Sequence, residues 1–221
     1  MELKTFRNKY DLELIPAATP LIILGNLVWD SIFDRPKFGY SGVPNNIFNA
    51  FFDAKLIDQQ VWENYLKECK KVELVNAAFA ETIIDVDLDL ITSLDNPKIG
   101  KLNNQFDLKN IKKFTFGDLK ARVMTNLLRV RIDDYLEILK KDHWKDYDGK
   151  VRRVYMITEL YYGSIKIVIE KKLGNELEAA VPNADLEINN KIDLQNSMEY
   201  SFSHNDAPFA MRIEKIKNFN S

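Results

Sequence analysis

The sequence is poor in the residues that build catalytic and metal centres. It has one cysteine, Cys69, in 221 residues. A lone cysteine excludes an internal disulfide framework and a cysteine-built zinc site. It also suits a reducing compartment. There are two histidines, His143 and His204, far apart in the chain, and no H-E-x-x-H pair. No glycine-rich phosphate loop and no G-x-S-x-G elbow occurs, so phosphate-cradling and serine-hydrolase signatures are missing. Glycine is scarce at 8, which excludes glycine-rich repeats. No run approaches the roughly 20 apolar residues of a spanning helix. The most apolar early stretch, Ile15 to Leu24, is broken by Pro16 and Pro20 and follows Glu2, Asp11 and Glu13. That makes a poor signal peptide. Neither charge sign dominates: 31 bases against 33 acids give a formal charge of −2. Without a global basic field, generic nucleic-acid binding is not expected.

What the chain has is apolar residues (46%), 13 Phe and 9 Tyr, enough for a packed core. No linker, low-complexity tract or repeat divides it, so a single domain spanning residues 1–221 is expected. The first 14 residues mix Lys4, Arg7 and Lys9 with Leu3, Phe6 and Tyr10, consistent with a short amphipathic helix. Ile15–Val28 reads as a buried extended or turn element, and Phe38–Tyr40 as a short strand between turns. A helix is predicted over about Pro44–Ala54, capped by Asn45 or Asn46. Another is predicted over Ile57–Lys70, with Val61, Trp62, Tyr65 and Leu66 on one stripe.

Val72–Leu94 has strand character, cleanest from Ile84 onward. In the run IIDVDLDL, Ile84, Val86, Leu88 and Leu90 alternate with Asp85, Asp87 and Asp89. The aspartates could hold a divalent metal, but the period of two reads as a strand with one greasy and one wet face. An EF-hand loop counted from Asp85 would need Gly and Glu where Leu90 and Asn96 stand. A second extended piece covers about Gln105–Phe116. Two helices are predicted next, about Asp118–Arg129 with Leu119, Val123, Leu127 and, as a further candidate, Met124 inward, and about Ile132–Lys141 with Ile132, Tyr135, Leu136 and Leu139 inward.

The last third reads as strand throughout. Val151–Lys172 is one long run, with Gly163 as a bulge or bend. Leu173–Ala180 turns the chain. Leu186, Ile188, Ile192 and Leu194 form a greasy face that Asn190 breaks once. Met198, Tyr200 and Phe202 alternate with polar residues, and Phe209, Met211 and Ile213 form a final strand. The expected class is therefore α+β: a twisted antiparallel sheet with long hairpins, surrounded by helices. Cys69 with His143 is too little to name a nucleophile pair, and Cys69 reads as a structural cysteine. No catalytic residue, metal ligand or cofactor is predicted.

Three blocks carry a family resemblance: IFDRPKFGYSGVPNNIFNAF (32–51), VYMITELYYGSIKIVIEKK (154–172) and DAPFAMRIEKI (206–216). In content and order they resemble the pore-forming domain of the gasdermin family, over nearly the whole chain. The resemblance implies a cytoplasmic protein, silent until activated, that binds acidic lipids, oligomerises and extends two β-hairpins into a large barrel in the cell membrane. It implies a first hairpin from about Val72–Leu94 and Lys101–Phe116, and a second from about Val151–Lys172 and Asn183–Ser203. Candidate lipid-headgroup contacts are Lys4, Arg7, Lys9, Arg35 and Lys37. Candidate membrane-inserting residues are Ile84, Val86, Leu88, Leu90, Ile165, Ile167, Ile169, Leu186, Ile188, Ile192 and Leu194. The stretch KKDHWKDY (140–147) mixes bases with Trp144 and Tyr147 and suits a membrane interface or a helix end. Two departures stand out: no cysteine lies near the N-terminus for lipid modification, and no inhibitory domain follows the closing strand. Silence would then come from a separate partner chain or a second gasdermin-like chain, or the chain is an already released form. The implied partners are acidic lipids, further copies of the chain and an activating protease, in microbial defence against phage or non-self. Two other classes stay open: a soluble interaction or immunity module, and a metal-dependent enzyme using Asp85, Asp87 and Asp89.

Overall fold

The computed structural model describes residues 7, 10–15, 22–28, 45–77, 84–86, 102, 104–182, 187–202 and 208–219. In chain order its elements are β1 (Glu13–Leu14), β2 (Asn26–Val28), β3 (Asn45–Asn46), α1 (Ile47–Asp53), α2 (Gln59–Lys71), β4 (Val75–Asn76) and β5 (Ile84–Val86). They continue with β6 (Ile111–Val123), α3 (Asn126–Asp142), β7 (Tyr155–Glu170), α4 (Gly174–Ala180), β8 (Ile188–Asp193), β9 (Ser197–Phe202) and β10 (Ala210–Lys215). The class is α+β with a predominantly antiparallel sheet. The chain forms two compact units: residues 1–20, 76–120 and 161–210 in the first; 21–75, 121–160 and 211–221 in the second. β6 and β7 supply residues to both.

The second unit is organised by buried amides. Gly25 turns with φ +79°, a conformation that costs glycine little. A Cβ there would sit 3.1 Å from the Asn46 amide. Asn46 Nδ2 donates to the Leu24 carbonyl at 2.9 Å, and its Oδ1 accepts from Phe48 N at 3.2 Å, capping α1. Asn26 Oδ1 accepts from Ile23 N at 2.7 Å. Both asparagines are buried, so these bonds offset their desolvation. β2 then pairs antiparallel with β3 and with β7 (Leu27 opposite Met156). An aromatic cluster joins the helices: Phe48 stacks on Tyr65 at 4.4 Å, and Phe51 lies 5.2 Å from Tyr135. Arg129 grips Glu214 with contacts at 2.7 and 2.8 Å.

The first unit is built on the long strands. β5 pairs antiparallel with β6, Ile84 opposite Phe116 and Val86 opposite Phe114. β7 pairs antiparallel with β9, placing Ile165, Ile167 and Ile169 opposite Phe202, Tyr200 and Met198. All six are buried, each worth about 1.5–3 kcal/mol of apolar burial. Phe116 stacks on Phe209 at 4.0 Å. β8 pairs only with β9 among the described strands, with a register shift between Ile188 and Asn190. That shift falls where Asn190 interrupts the sequence alternation.

Several expectations need correction. The two helices predicted over 118–129 and 132–141 are one helix, α3, and the strand before it runs to Val123. Leu119, Val123 and Leu127 repeat every four residues, a spacing that fits a helix and also a strand's period of two. The true stop is Thr125, whose Oγ1 accepts from Leu128 N and caps α3. Val123 and Leu127 are exposed, while Met124 and Leu128 are buried. The extended piece expected from Gln105 starts at Ile111, after a 3-10 turn at Leu108–Asn110. Leu173–Ala180 is mostly the helix α4 rather than a turn, so the last third is not all strand. Gly163 does not interrupt β7, which runs unbroken from Tyr155 to Glu170. It lets the strand approach β6, since a Cβ there would lie 2.8 Å from the Gly117 carbonyl oxygen. Next to Gly117, Asp118 takes φ +49° and accepts a 2.6 Å bond from Ser164 Oγ.

Gly163→Ala should therefore destabilise the fold by about 1–3 kcal/mol through overpacking. Gly149→Ala, whose Cβ would meet nothing within 4 Å, should be close to neutral. Urea midpoints of the two variants check this; equal midpoints would remove the close-approach explanation.

Candidate functional site

The described residues contain no group of three or more His, Cys, Asp or Glu placed to hold a metal ion. Asp85 lies in β5 opposite Thr115; Asp87 and Asp89 fall outside the described residues. Cys69 is buried in α2, and burial pushes its thiol up to about 12. A thiol so disposed holds its proton and is a weak nucleophile at neutral pH. The structure thus agrees with a structural cysteine. A cleft of about 450 Å³ in the second unit is lined by Glu68, Lys71, Val72, Glu73, Val75, Val123 and Thr125. Glu68 there pairs with Arg131 at 3.6 Å. The lining holds no nucleophile beside a base. Among the described residues no helix is long and apolar enough to cross a membrane.

The candidate lipid contacts are mostly beyond description: Lys4, Lys9, Arg35 and Lys37 lie outside the described residues. Arg7 is described and forms an ion pair with Glu13, a nearly buried carboxylate. Of the candidate inserting residues, Leu88, Leu90 and Leu186 lie outside the described residues, and Ile84 and Val86 are placed in β5. Ile165, Ile167 and Ile169 are buried on one face of β7, with Lys166, Val168 and Glu170 half-buried between them. Ile188 is half-buried. Ile192 and Leu194 are 41% and 39% exposed. The greasy face expected on 186–194 is therefore only partly buried where it is described. The pairing expected for the second hairpin is met by β9, at its far end; β8 pairs outside β9 rather than against β7.

No local pattern in the sequence marks what fastens this hairpin. Glu178 on α4 accepts from Lys191 Nζ on β8, and from Tyr200 Oη on β9 at 2.9 Å. Lys191 Nζ also lies 5.8 Å from the Tyr200 ring centre. Gly174, at the start of α4, leaves room for that phenol: a Cβ would come within 2.7 Å of it. Lys171, just before α4, pairs with Asp193 at the end of β8. The bond from Lys191, then that from Tyr200, holds the Glu178 carboxyl below its usual range. Burial, helped by the bond to Glu178, pushes Tyr200 up to about 12. The signs follow from linkage. Glu178 adds stability at neutral pH that is lost as pH falls through its depressed pKa. Tyr200 adds stability that is full below an ordinary tyrosine pKa and fades as pH rises toward 12. Only residue separation in the fold, 13 and 22 positions, links these groups, so no local motif announces them.

Tyr200→Phe should cost about 0.5–1.5 kcal/mol, the net value of one hydrogen bond, and should speed amide exchange in residues 174–180. An alkaline absorbance titration should lose one step near 12 relative to the unsubstituted chain. Unchanged exchange and an unchanged titration would show that the phenol does not hold α4.

Comparison with family models, with curated proteins and with solved structures returns no match for this chain.

Proposed function

We propose that the chain is a gasdermin-like, non-enzymatic pore-forming effector. It binds acidic lipids, assembles with copies of itself and inserts β-hairpins to form a large transmembrane barrel. Its inactive form is cytoplasmic and its active form sits in the cell membrane, in microbial defence. An activating protease or a separate silencing chain would control the change.

The observation that supports this reading best is β7 with its hairpin. β7 has 16 residues, so its length is roughly 50 Å. A hydrocarbon core is about 30 Å thick and a tilted strand crosses it with about 9–11 residues. Side chains on β7 alternate in burial from Gly163 onward, as a strand with one wet face requires. β8 adds a second feature. Its apolar Ile192 and the adjoining Leu194 keep about two-fifths of their surface in water in this state. Against lipid the same two side chains would be covered. Ring closure by many copies would pair every edge strand, a requirement for any sheet in hydrocarbon. The α4 fastening must then open, because a short helix joins β7 to the segment that would lengthen the hairpin.

Ile192→Asp separates the two states. The side chain is exposed here, so thermal unfolding should barely move. In an inserted strand the charge would meet lipid at a cost of about 2–4 kcal/mol per copy near the midplane, less for Asp than for Lys or Arg. Purified chain should release dye from vesicles containing acidic lipid, and Ile192→Asp should release at least tenfold less. Sealed vesicles with the unsubstituted chain would overturn the proposal and favour a soluble interaction module.

A further inference from the structure

We propose that the surface formed by residues 140–153, where α3 ends, docks onto an anionic bilayer. The proposal deepens the pore-forming reading and rests on it for its role. The contact itself is a property of the second unit and needs no inserted strand.

Three observations carry it. First, Trp144 is 49% exposed, although its segment is firmly seated. His143 caps α3, a helical turn follows at Trp144–Asp146, and Tyr147 and Val151 are buried beneath it. The indole is held outward, 5.6 Å from the Tyr147 ring and with the Arg152 guanidinium 5.5 Å from its centre. An amphipathic ring fixed in water on a rigid base is the side chain that headgroup regions favour.

Second, the charge is one-sided. Lys140, Lys141, Lys145, Lys150, Arg152 and Arg153 are all exposed, against three aspartates in the same fourteen residues. That leaves three positive charges on a short surface of a chain whose total is −2. Third, two of the three aspartates are already engaged. Asp146 faces Lys150 at 3.2 Å and Asp148 faces Arg152 at 2.7 Å. Lys150 also lies 3.8 Å from Asp53, and Lys140 lies 3.5 Å from Glu137. No ion pair is formed by Lys141, Lys145 or Arg153 among the described residues. Lys141 and Lys145 flank Trp144 in sequence, and all three bases are exposed. An anionic bilayer laid on this segment would meet the indole and its neighbouring bases together. The outward indole favours a lipid headgroup layer over bare nucleic-acid phosphate.

The test uses the full chain with vesicles of phosphatidylcholine, with and without phosphatidylglycerol, reading co-sedimentation and dye release side by side. The unsubstituted chain should sediment only with the acidic vesicles, less so at high salt. Lys141→Gln with Lys145→Gln should weaken binding about 25-fold, at about fivefold per base. Trp144→Phe should remove a blue shift in tryptophan emission that vesicles otherwise cause. All three side chains are exposed, so melting temperatures should stay put. If the lysine variant sediments and releases dye like the parent, the docking proposal is overturned and the pore reading stands. If it loses sedimentation while the parent binds but releases no dye, docking stands and the pore reading falls. Equal binding to neutral vesicles, or binding to a DNA oligonucleotide in preference to acidic vesicles, overturns docking.

Discussion

The structure depends on covering one face of β7. A hydrogen-bonded strand with isoleucine at every second position must hide that face from water. Here Met198, Tyr200 and Phe202 of β9, each directly opposite its isoleucine, stand on that same face, and all six side chains are buried together. The constraint says that the face must be covered and leaves open by what. A protein core satisfies it, and so does hydrocarbon. Two states of one sequence are therefore compatible with a single alternation. Under the proposed function the balance between them would belong to the groups that fasten α4, since that helix would have to give way for the hairpin to lengthen.

Those fastenings are modest, which suits a switch. Glu178 and Lys191 are partly exposed, and pairs of that kind are worth little in water. Tyr200 differs, because its ring is sealed while its hydroxyl reaches the carboxylate of α4. Losing the partner would leave a buried phenol poorly satisfied. The stiffer resistance comes from backbone fit. Gly163 against Gly117 allows an approach that no other residue would permit.

Much of this architecture was legible in the sequence. The helix capped at Asn46, the helix beginning near Asp58, the burial of Cys69 and the final strand all follow from caps and periodicity. The pairing of β5 with β6 was expected too. What failed has a physical cause. Leu119, Val123 and Leu127 sit at a spacing common to strand and helix, so the boundary at Thr125 was hidden. The close contact at Gly163 depends on a strand 46 residues away and leaves no local trace. The grouping of Glu178, Lys191 and Tyr200 is likewise a product of the fold. Ile192 and Leu194 alternate as a buried strand would, yet on and just after β8, which pairs outside β9, they stay 41% and 39% exposed. Of the candidate headgroup bases only Arg7 is placed, and it is committed to Glu13.

The central claim is that the hairpin around β7 and β8 comes to lie in a bilayer with alternate side chains toward lipid. Single cysteines placed from 190 to 194 in a Cys69→Ala background, labelled with an environment-sensitive dye, would test it on acidic vesicles. Emission should shift to the blue at 192 and 194 and stay water-like at 191 and 193, with lipid-borne quenchers reaching the first pair only. Water-like emission at every position, in the presence of bound protein, would contradict the account.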